Sequence, residues 1–296
     1  MSLQVEKLEK NMAKLTIEVA AEKVEDAIQA AYMKEKGKIS VQKTGDIFTS
    51  VTTASSAYTN ENGEMIVNPT TYTPVFADGD LSGAVFQVIA VEDIVTLDGT
   101  TRAYAGDVVS EITTDENGYA ETEPLYLGKY EVREIKAPYG YVLNNEPKDV
   151  EVTYAGQEFE VRDTVNTAFE NEYQSVRISL SKVMESDELF GIYGNDCYTS
   201  VRFGLFAAED ITAADGSVIP ADGLLSEVSL DENMTAKFDV QIPFGRYYVQ
   251  EIATDEHYVL NGEKYLVNFE YMGQDIQNVD IDCGQFVNLL KHGRIE

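Results

Sequence analysis

Gly128-Lys-Tyr-Glu-Val-Arg-Glu-Ile135 and Gly245-Arg-Tyr-Tyr-Val-Gln-Glu-Ile252 are two versions of one segment, displaced by 117 residues. In both, residues of one parity (Tyr130, Val132 and Glu134; Tyr247, Val249 and Glu251) share a face, the period of a strand with one side buried. The same displacement carries Phe86-Gln-Val-Ile-Ala-Val-Glu-Asp-Ile94 onto Phe203-Gly-Leu-Phe-Ala-Ala-Glu-Asp-Ile211. It also carries Tyr141-Val-Leu-Asn144 onto Tyr258-Val-Leu-Asn261, and Tyr154-Ala-Gly-Gln157 onto Tyr271-Met-Gly-Gln274. One displacement kept by four separate segments marks a duplicated unit. The sequence therefore predicts two homologous β domains in tandem, over 39–174 and 175–292.

Upstream of Phe86 the displacement changes. Ile39-Ser-Val-Gln-Lys43 matches Ile178-Ser-Leu-Ser-Lys182 at 139 residues, so the first domain holds 22 more residues between its first and second strands. This insert, within 47–80, is rich in Thr, Ser, Tyr and Asn and reads as an edge hairpin or loop. Beyond residue 38 the chain alternates short apolar runs with turns such as Asp98-Gly99 and Asp215-Gly216. It reads as mainly β.

The opening 38 residues differ. Seven of the 22 basic and seven of the 52 acidic side chains lie there, so the whole net charge of -30 falls on the remainder. Ala13, Leu15, Ile17 and Val19 alternate with polar residues as in a strand, and Val24, Ala27, Ile28 and Ala31 recur at helical spacing. A short strand-helix segment therefore precedes the β domains. The charge repels phosphate backbones and anionic membrane faces, which argues against a nucleic-acid partner. No run approaches the roughly 20 apolar residues that span a bilayer, and the N-terminus lacks a signal-peptide layout.

Strand phase singles out six polar residues. Ile39, Val41 and Lys43 share a face, as do Tyr130, Val132 and Glu134, and Phe169 and Asn171. The second domain repeats this with Lys182, Glu251 and Asn288. Each domain is thus expected to aim one Lys, one Glu and one Asn inward. One reading is a buried ion pair capped by an amide. The other is chemical: an apolar site favours the neutral amine and the protonated acid, and the amine attacks the carboxamide between them. The acid polarises the carbonyl and shuttles protons, ammonia leaves, and a Lys-Asn isopeptide bond remains.

Tyr130-Glu-Val-Arg-Glu-Ile-Lys-Ala-Pro-Tyr-Gly-Tyr141 resembles the E-box of Gram-positive pilins and Cna B-type domains, Tyr-x-Leu-x-Glu-Thr-x-Ala-Pro-x-Gly-Tyr. Gly83-Ala-Val-Phe86 and Thr114-Asp-Glu-Asn-Gly118 resemble that family's second strand and following turn. The resemblance covers roughly residues 39–296 and implies tandem transthyretin-like β-sandwiches of SpaA-type surface proteins. It implies that Glu134 catalyses a bond between Lys43 and Asn171, and Glu251 one between Lys182 and Asn288. The second E-box, Tyr247-Tyr-Val-Gln-Glu-Ile-Ala-Thr-Asp-Glu-His-Tyr258, lacks the Ala-Pro-x-Gly turn. Residues 1–20 resemble the start of bacterial trigger factor, a ribosome-associated chaperone. The likeness lapses near Gly37, where Gly37-Lys-Ile-Ser-Val-Gln-Lys43 stands in place of the family's Gly-Phe-Arg-x-Gly-Lys docking loop.

Other candidates are weaker. Cys197 and Cys283 both fall in the second domain and read as free thiols rather than a disulfide. His257 and His292 have no metal-ligand spacing, the Asp-rich turns lack the calcium-loop pattern, and no nucleophile-base-acid arrangement of a turnover enzyme appears. No cofactor or metal is expected.

Three functions follow. The first is a covalently clamped stalk on the surface of a Gram-positive cell, joined to further repeats of its parent chain. The second is an adhesin module whose insert or sandwich edge binds a host protein or glycan. The third is a chaperone role of residues 1–38. Lys291-His-Gly-Arg-Ile-Glu296 echoes Lys36-Gly-Lys-Ile-Ser40, so residues 293–296 read as the start of a third repeat. Because residues 1–38 share no repeat element, a chain beginning at Lys38 is expected to melt with the full chain. A melting point lower by more than about 5 °C, the effect of roughly 1 kcal/mol in such a domain, would show that the opening piece supports the β domains.

Overall fold

The computed structural model describes residues 36–59, 62–153, 164–189 and 191–292, together with Lys23, which is helical. The rest of the expected strand-helix segment, the Tyr154 repeat segment and the start of the third repeat lie outside them. The long first strand is β1 (Lys36–Ala54), followed by β2 (Ala57–Thr59), β3 (Met65–Val67) and β4 (Thr71–Asp80). Then come β5 (Val85–Ala90), β6 (Ile94–Val95), β7 (Thr101–Ala103), β8 (Val108–Thr113) and β9 (Tyr119–Glu121). β10 (Leu125–Tyr126), β11 (Gly128–Lys136), β12 (Lys148–Val152) and β13 (Thr164–Asn171) follow. The second set is β14 (Ser175–Met184), β15 (Arg202–Ala207), β16 (Ile211–Thr212), β17 (Val218–Ile219) and β18 (Leu224–Ser229). It ends with β19 (Thr235–Asp239), β20 (Gly245–Ala253), β21 (Tyr265–Phe269) and β22 (Asn278–Asn288). A 3-10 turn at Gly194–Ser200 links β14 to β15.

The chain divides into two compact units. The first comprises Met1–Thr44, Asp80–Pro138 and Asn144–Glu170. One of its layers is the sheet β12-β11-β5-β8, antiparallel throughout. The other is the beginning of β1 with β9, β10 and β13 along it. Alternation makes this a sandwich. In β5 and β11 every second residue is buried, and Phe86, Val88, Tyr130 and Val132 meet Ile39, Val41 and Phe169 from the facing layer.

The second unit comprises Gly45–Gly79, Tyr139–Leu143 and Asn171–Glu296. Its layers are β18-β15-β20-β21 and β19-β14-β22, with the first and last strands, β14 and β22, side by side and parallel. Phe203, Leu205, Tyr247 and Val249 pack against Ile178, Leu180 and Phe286. The strand bounds follow the sequence displacement: β15, β20 and β21 lie 117 residues beyond β5, β11 and β12. The structure is thus mainly β, as its turn-punctuated alternation requires.

The insert, read from the sequence as an edge hairpin or loop of the first domain, forms a hairpin that groups with the second unit and whose β4 lies between two strands. The far part of β1 pairs with β4, and β2 with β3 at the tip. It belongs to the second unit, where β4 runs parallel to β18 with Thr71 opposite Leu224. Phe48, Val51 and Tyr72 pack on that unit's core, and the Val51 N–H donates to Ser217 Oγ at 2.8 Å.

One turn positions the first strand. Gly118 has φ +67°, and a Cβ there would stand 2.4 Å from the Lys43 carbonyl oxygen. Its own carbonyl accepts the Lys43 N–H at 2.7 Å. Gly99 has φ +77° with open space around it. Gly99→Ala should therefore cost only the left-handed penalty of about 1 kcal/mol, while Gly118→Ala adds overlap with the Lys43 backbone and should cost at least about 2 kcal/mol in urea unfolding. Equal losses at the two positions would show that this turn does not hold Lys43.

Candidate functional site

All six residues that strand phase singles out are buried. Lys43, Glu134 and Asn171 are 0%, 2% and 3% exposed, and Lys182, Glu251 and Asn288 are 3%, 1% and 1% exposed. The cause is parity. Each Lys continues the inward face of the first strand, each Glu that of the E-box strand, and each Asn closes the last strand two residues after a core Phe.

The second set shows the full arrangement. Lys182 Nζ donates to Asn288 Oδ1 at 2.6 Å and stands 2.8 Å from Glu251 Oε1. Asn288 Nδ2 lies 2.9 Å from both oxygens of Glu251 and donates to Thr254 Oγ1 at 2.8 Å. The amine therefore faces the carboxamide oxygen, and the carboxylate faces the carboxamide nitrogen. This differs from the expected polarising contact between acid and carbonyl: one oxygen, Glu251 Oε1, touches both the amine and the nitrogen that would leave.

In the first unit Lys43 Nζ stands 3.3 Å from Glu134 Oε1, both side chains fully buried. Its Nζ is 5.8 Å from the ring centroids of Phe86 and Phe169, which pack on each other at 4.8 Å. Asn171 ends β13, two residues beyond Phe169 and on the same face. The second unit repeats the aromatic setting, with Lys182 Nζ 5.5 Å from Phe203 and Phe203 4.8 Å from Phe286. Rings replace water around the amines. Burial accordingly draws Lys43 down to about 8, against the opposing charge and hydrogen bond of Glu134. It lowers Lys182 as well, against the hydrogen bond and charge of Glu251.

Local devices repeat around each set. The Lys43 N–H is accepted by Gly118 and the Lys182 N–H by Met234, at 2.7 and 2.8 Å. Met234 takes the same left-handed conformation as Gly118, at φ 60°. The first tyrosine of each E-box hydroxyl-bonds the carbonyl four residues earlier, Tyr130 to Tyr126 and Tyr247 to Pro243, both at 2.6 Å. The last reaches three residues beyond each Lys in sequence, Tyr141 to the Asp46 carbonyl at 2.8 Å and Tyr258 to Glu185 at 2.7 Å.

Sequence reading missed Thr254. It stands where the first copy has Ala137, in the stretch read as a degenerate E-box, and a hydroxyl-bearing residue replacing a buried alanine was the available signal. Sequence reading also left Asn144 and Asn261 as mere repeat markers, although their backbone N–H groups donate to Glu134 Oε2 and Glu251 Oε2 at 2.8 and 2.7 Å. Cys197 and Cys283 are thiols and not joined in a disulfide, and burial pushes the latter up to about 11. Among the described residues no group of three His, Cys, Asp or Glu could hold a metal ion, and no helix is long and apolar enough to cross a membrane.

Residues 76–167 match the family model described as the SpaA prealbumin-like fold domain. The chain is 29% identical over 94 residues to the trypsin-resistant surface T6 protein of Streptococcus pyogenes, covering 32% of this chain and 16% of that one. The trigger factor of Agathobacter rectalis is 68% identical over 41 residues, 14% of this chain and 9% of the relative. The chain thus spans between 9% and 16% of the length of the curated relatives it matches. Among solved structures, the Bacillus anthracis TIE protein is similar in fold at a TM-score of 0.50 and 21% identity, over 86% of this chain and 34% of that one. The two-layer sandwich, with the E-box strand inside one of its sheets, agrees with a prealbumin-like fold over the matched residues 76–167.

Proposed function

We propose that this chain is a structural module of a Gram-positive cell-surface protein, clamped by two self-formed isopeptide bonds, Lys43 to Asn171 and Lys182 to Asn288. The observation that carries the reading is the closed contact of Lys182, Glu251 and Asn288 at 2.6 to 2.9 Å in a water-excluding core. The SpaA-type domain and the likeness to a streptococcal surface protein support it.

The chemistry balances within the triad. Glu251 Oε1 takes a proton from the Lys182 ammonium, the neutral Nζ attacks Asn288 Cγ, and the Cγ–Nδ2 bond breaks as the Nζ–Cγ amide forms. The two protons shed by Nζ pass through the carboxylate to the departing nitrogen, which leaves as ammonium, and Glu251 returns to its starting state. No cofactor enters. Each bond closes a loop of more than 100 residues, worth about 5 kcal/mol if it restrains the unfolded chain as a disulfide of that span would.

Its effect under tension is larger. In the second unit β14 and β22 are parallel neighbours, and Lys182 and Asn288 lie at their C-terminal ends. Force entering at Ser175 and leaving after Asn288 crosses the bond and bypasses the strands between. An adhesin role of the insert has one observation in its favour, the exposed Met65 and Val67 at the hairpin tip.

Intact mass tests the clamp. The folded chain should fall short of its sequence mass by two ammonia, and Lys43→Ala, Asn171→Ala or Glu134→Ala should each restore one. A folded chain at full mass would reduce both triads to buried polar clusters.

A second expectation concerns pH. The reactive form arises by moving a proton from Lys43 to Glu134, so it keeps the pair's proton count and vanishes when that shared proton is lost. The rate of the first bond should then be level near neutrality and decline as the pH passes about 8. A rate that keeps climbing above about pH 9, as for a simple free amine, would mean that the glutamate relays no proton.

A further inference from the structure

Tyr-Val-Leu-Asn occurs in both repeats, and nothing in the clamp itself uses its asparagine. In the first unit Asn144 makes three hydrogen bonds. Its backbone N–H donates to Glu134 Oε2 at 2.8 Å, its Nδ2 donates to the Glu170 carbonyl at 3.1 Å, and its Oδ1 accepts the Glu146 N–H at 2.9 Å. In the second unit Asn261 repeats all three, to Glu251 Oε2 at 2.7 Å, to the Val287 carbonyl at 3.2 Å and from the Glu263 N–H at 2.9 Å.

The partners have a common meaning. Glu134 and Glu251 are the proton relays, while Glu170 and Val287 immediately precede Asn171 and Asn288, the residues that would be attacked. We infer that Asn144 and Asn261 are positioning residues for bond formation, each holding the relay carboxylate and the strand of the attacked asparagine in one frame. The inference rests on the isopeptide reading. With Oε2 occupied by the backbone N–H, the carboxylate turns Oε1 toward the amine, at 3.3 Å in the first unit and 2.8 Å in the second. The carboxamide meanwhile ties the last strand to the same loop, which limits sliding of the attacked residue past the nucleophile. Reaction between groups held in a core depends steeply on such placement, because a displacement of about 1 Å can cost up to 10²-fold. The side-chain turn from Oδ1 to the N–H two residues on keeps the loop shaped so that its backbone N–H faces the carboxylate.

The test follows bond formation in the full chain after cell-free synthesis. Linked peptides are counted by mass after digestion under denaturing conditions, and the folded fraction is tracked by circular dichroism. Asn144→Ala should slow the Lys43–Asn171 bond at least about tenfold per folded molecule and leave the Lys182–Asn288 bond at its normal rate, and Asn261→Ala should do the reverse. Asn144→Asp keeps the turn acceptor and lacks the Nδ2 donor, so its rate should fall between those of Ala and Asn. A slowing that disappears once normalised to the folded fraction, or an Asn144→Ala rate equal to that of the unmodified chain, would overturn the inference while the clamp stands. An unmodified chain that forms no linked peptide overturns the clamp and this inference with it.

Discussion

A lysine amine with no exposed surface in the middle of a β-sandwich is the constraint around which each unit is arranged. An uncompensated buried ammonium costs several kcal/mol, so the surroundings must answer it on every side. In the second unit they do so with a carboxylate at 2.8 Å, a carboxamide oxygen at 2.6 Å and an aromatic ring at 5.5 Å. Three strands distant in sequence have to converge for this, the first, the E-box strand and the last. The sandwich core and the polar cluster therefore stand or fall together, since the same alternation that buries Ile178 and Tyr247 buries Lys182 and Glu251.

The two units meet this demand with different residues. Where the first has Gly118, the second has Met234 in the same left-handed conformation, and burying the methionine side chain, about 2 kcal/mol, offsets a backbone penalty of about 1 kcal/mol. Where the first has Ala137 in an Ala-Pro-x-Gly turn, the second has Thr254, whose hydroxyl accepts from the Asn288 carboxamide. The loss of the family's turn in the second E-box thus leaves its triad closed. The backbone bond from the tyrosine that ends each box is kept, to Asp46 and to Glu185.

The chemistry proposed for the triad and the mechanics proposed for the stalk depend on one topological fact. The first and last strands of the second unit are parallel neighbours, so a link between their C-terminal ends lies on the line of pull. Had those strands been antiparallel, tension at the two ends of the unit would have peeled them apart pair by pair. A covalent bond at the same residues would then have shielded less of the chain.

Much of this was legible in the sequence. A 117-residue displacement shared by strands was enough to predict duplicated β units, and a period of two within the strands placed Lys43, Glu134, Asn171, Lys182, Glu251 and Asn288 on buried faces. Parity is a local property of a strand and needs no knowledge of its neighbours. Which oxygen of Glu251 meets which nitrogen, the part played by Thr254, and the grip of Asn144 and Asn261 on both the acid and the last strand were decided only by tertiary structure. So was the grouping of the insert, which follows the first strand in sequence yet pairs with β18 in the second unit. These are relations between segments up to 166 residues apart, such as Val51 with Ser217. They depend on how strands pack and twist across layers, and no pattern along a single strand encodes that.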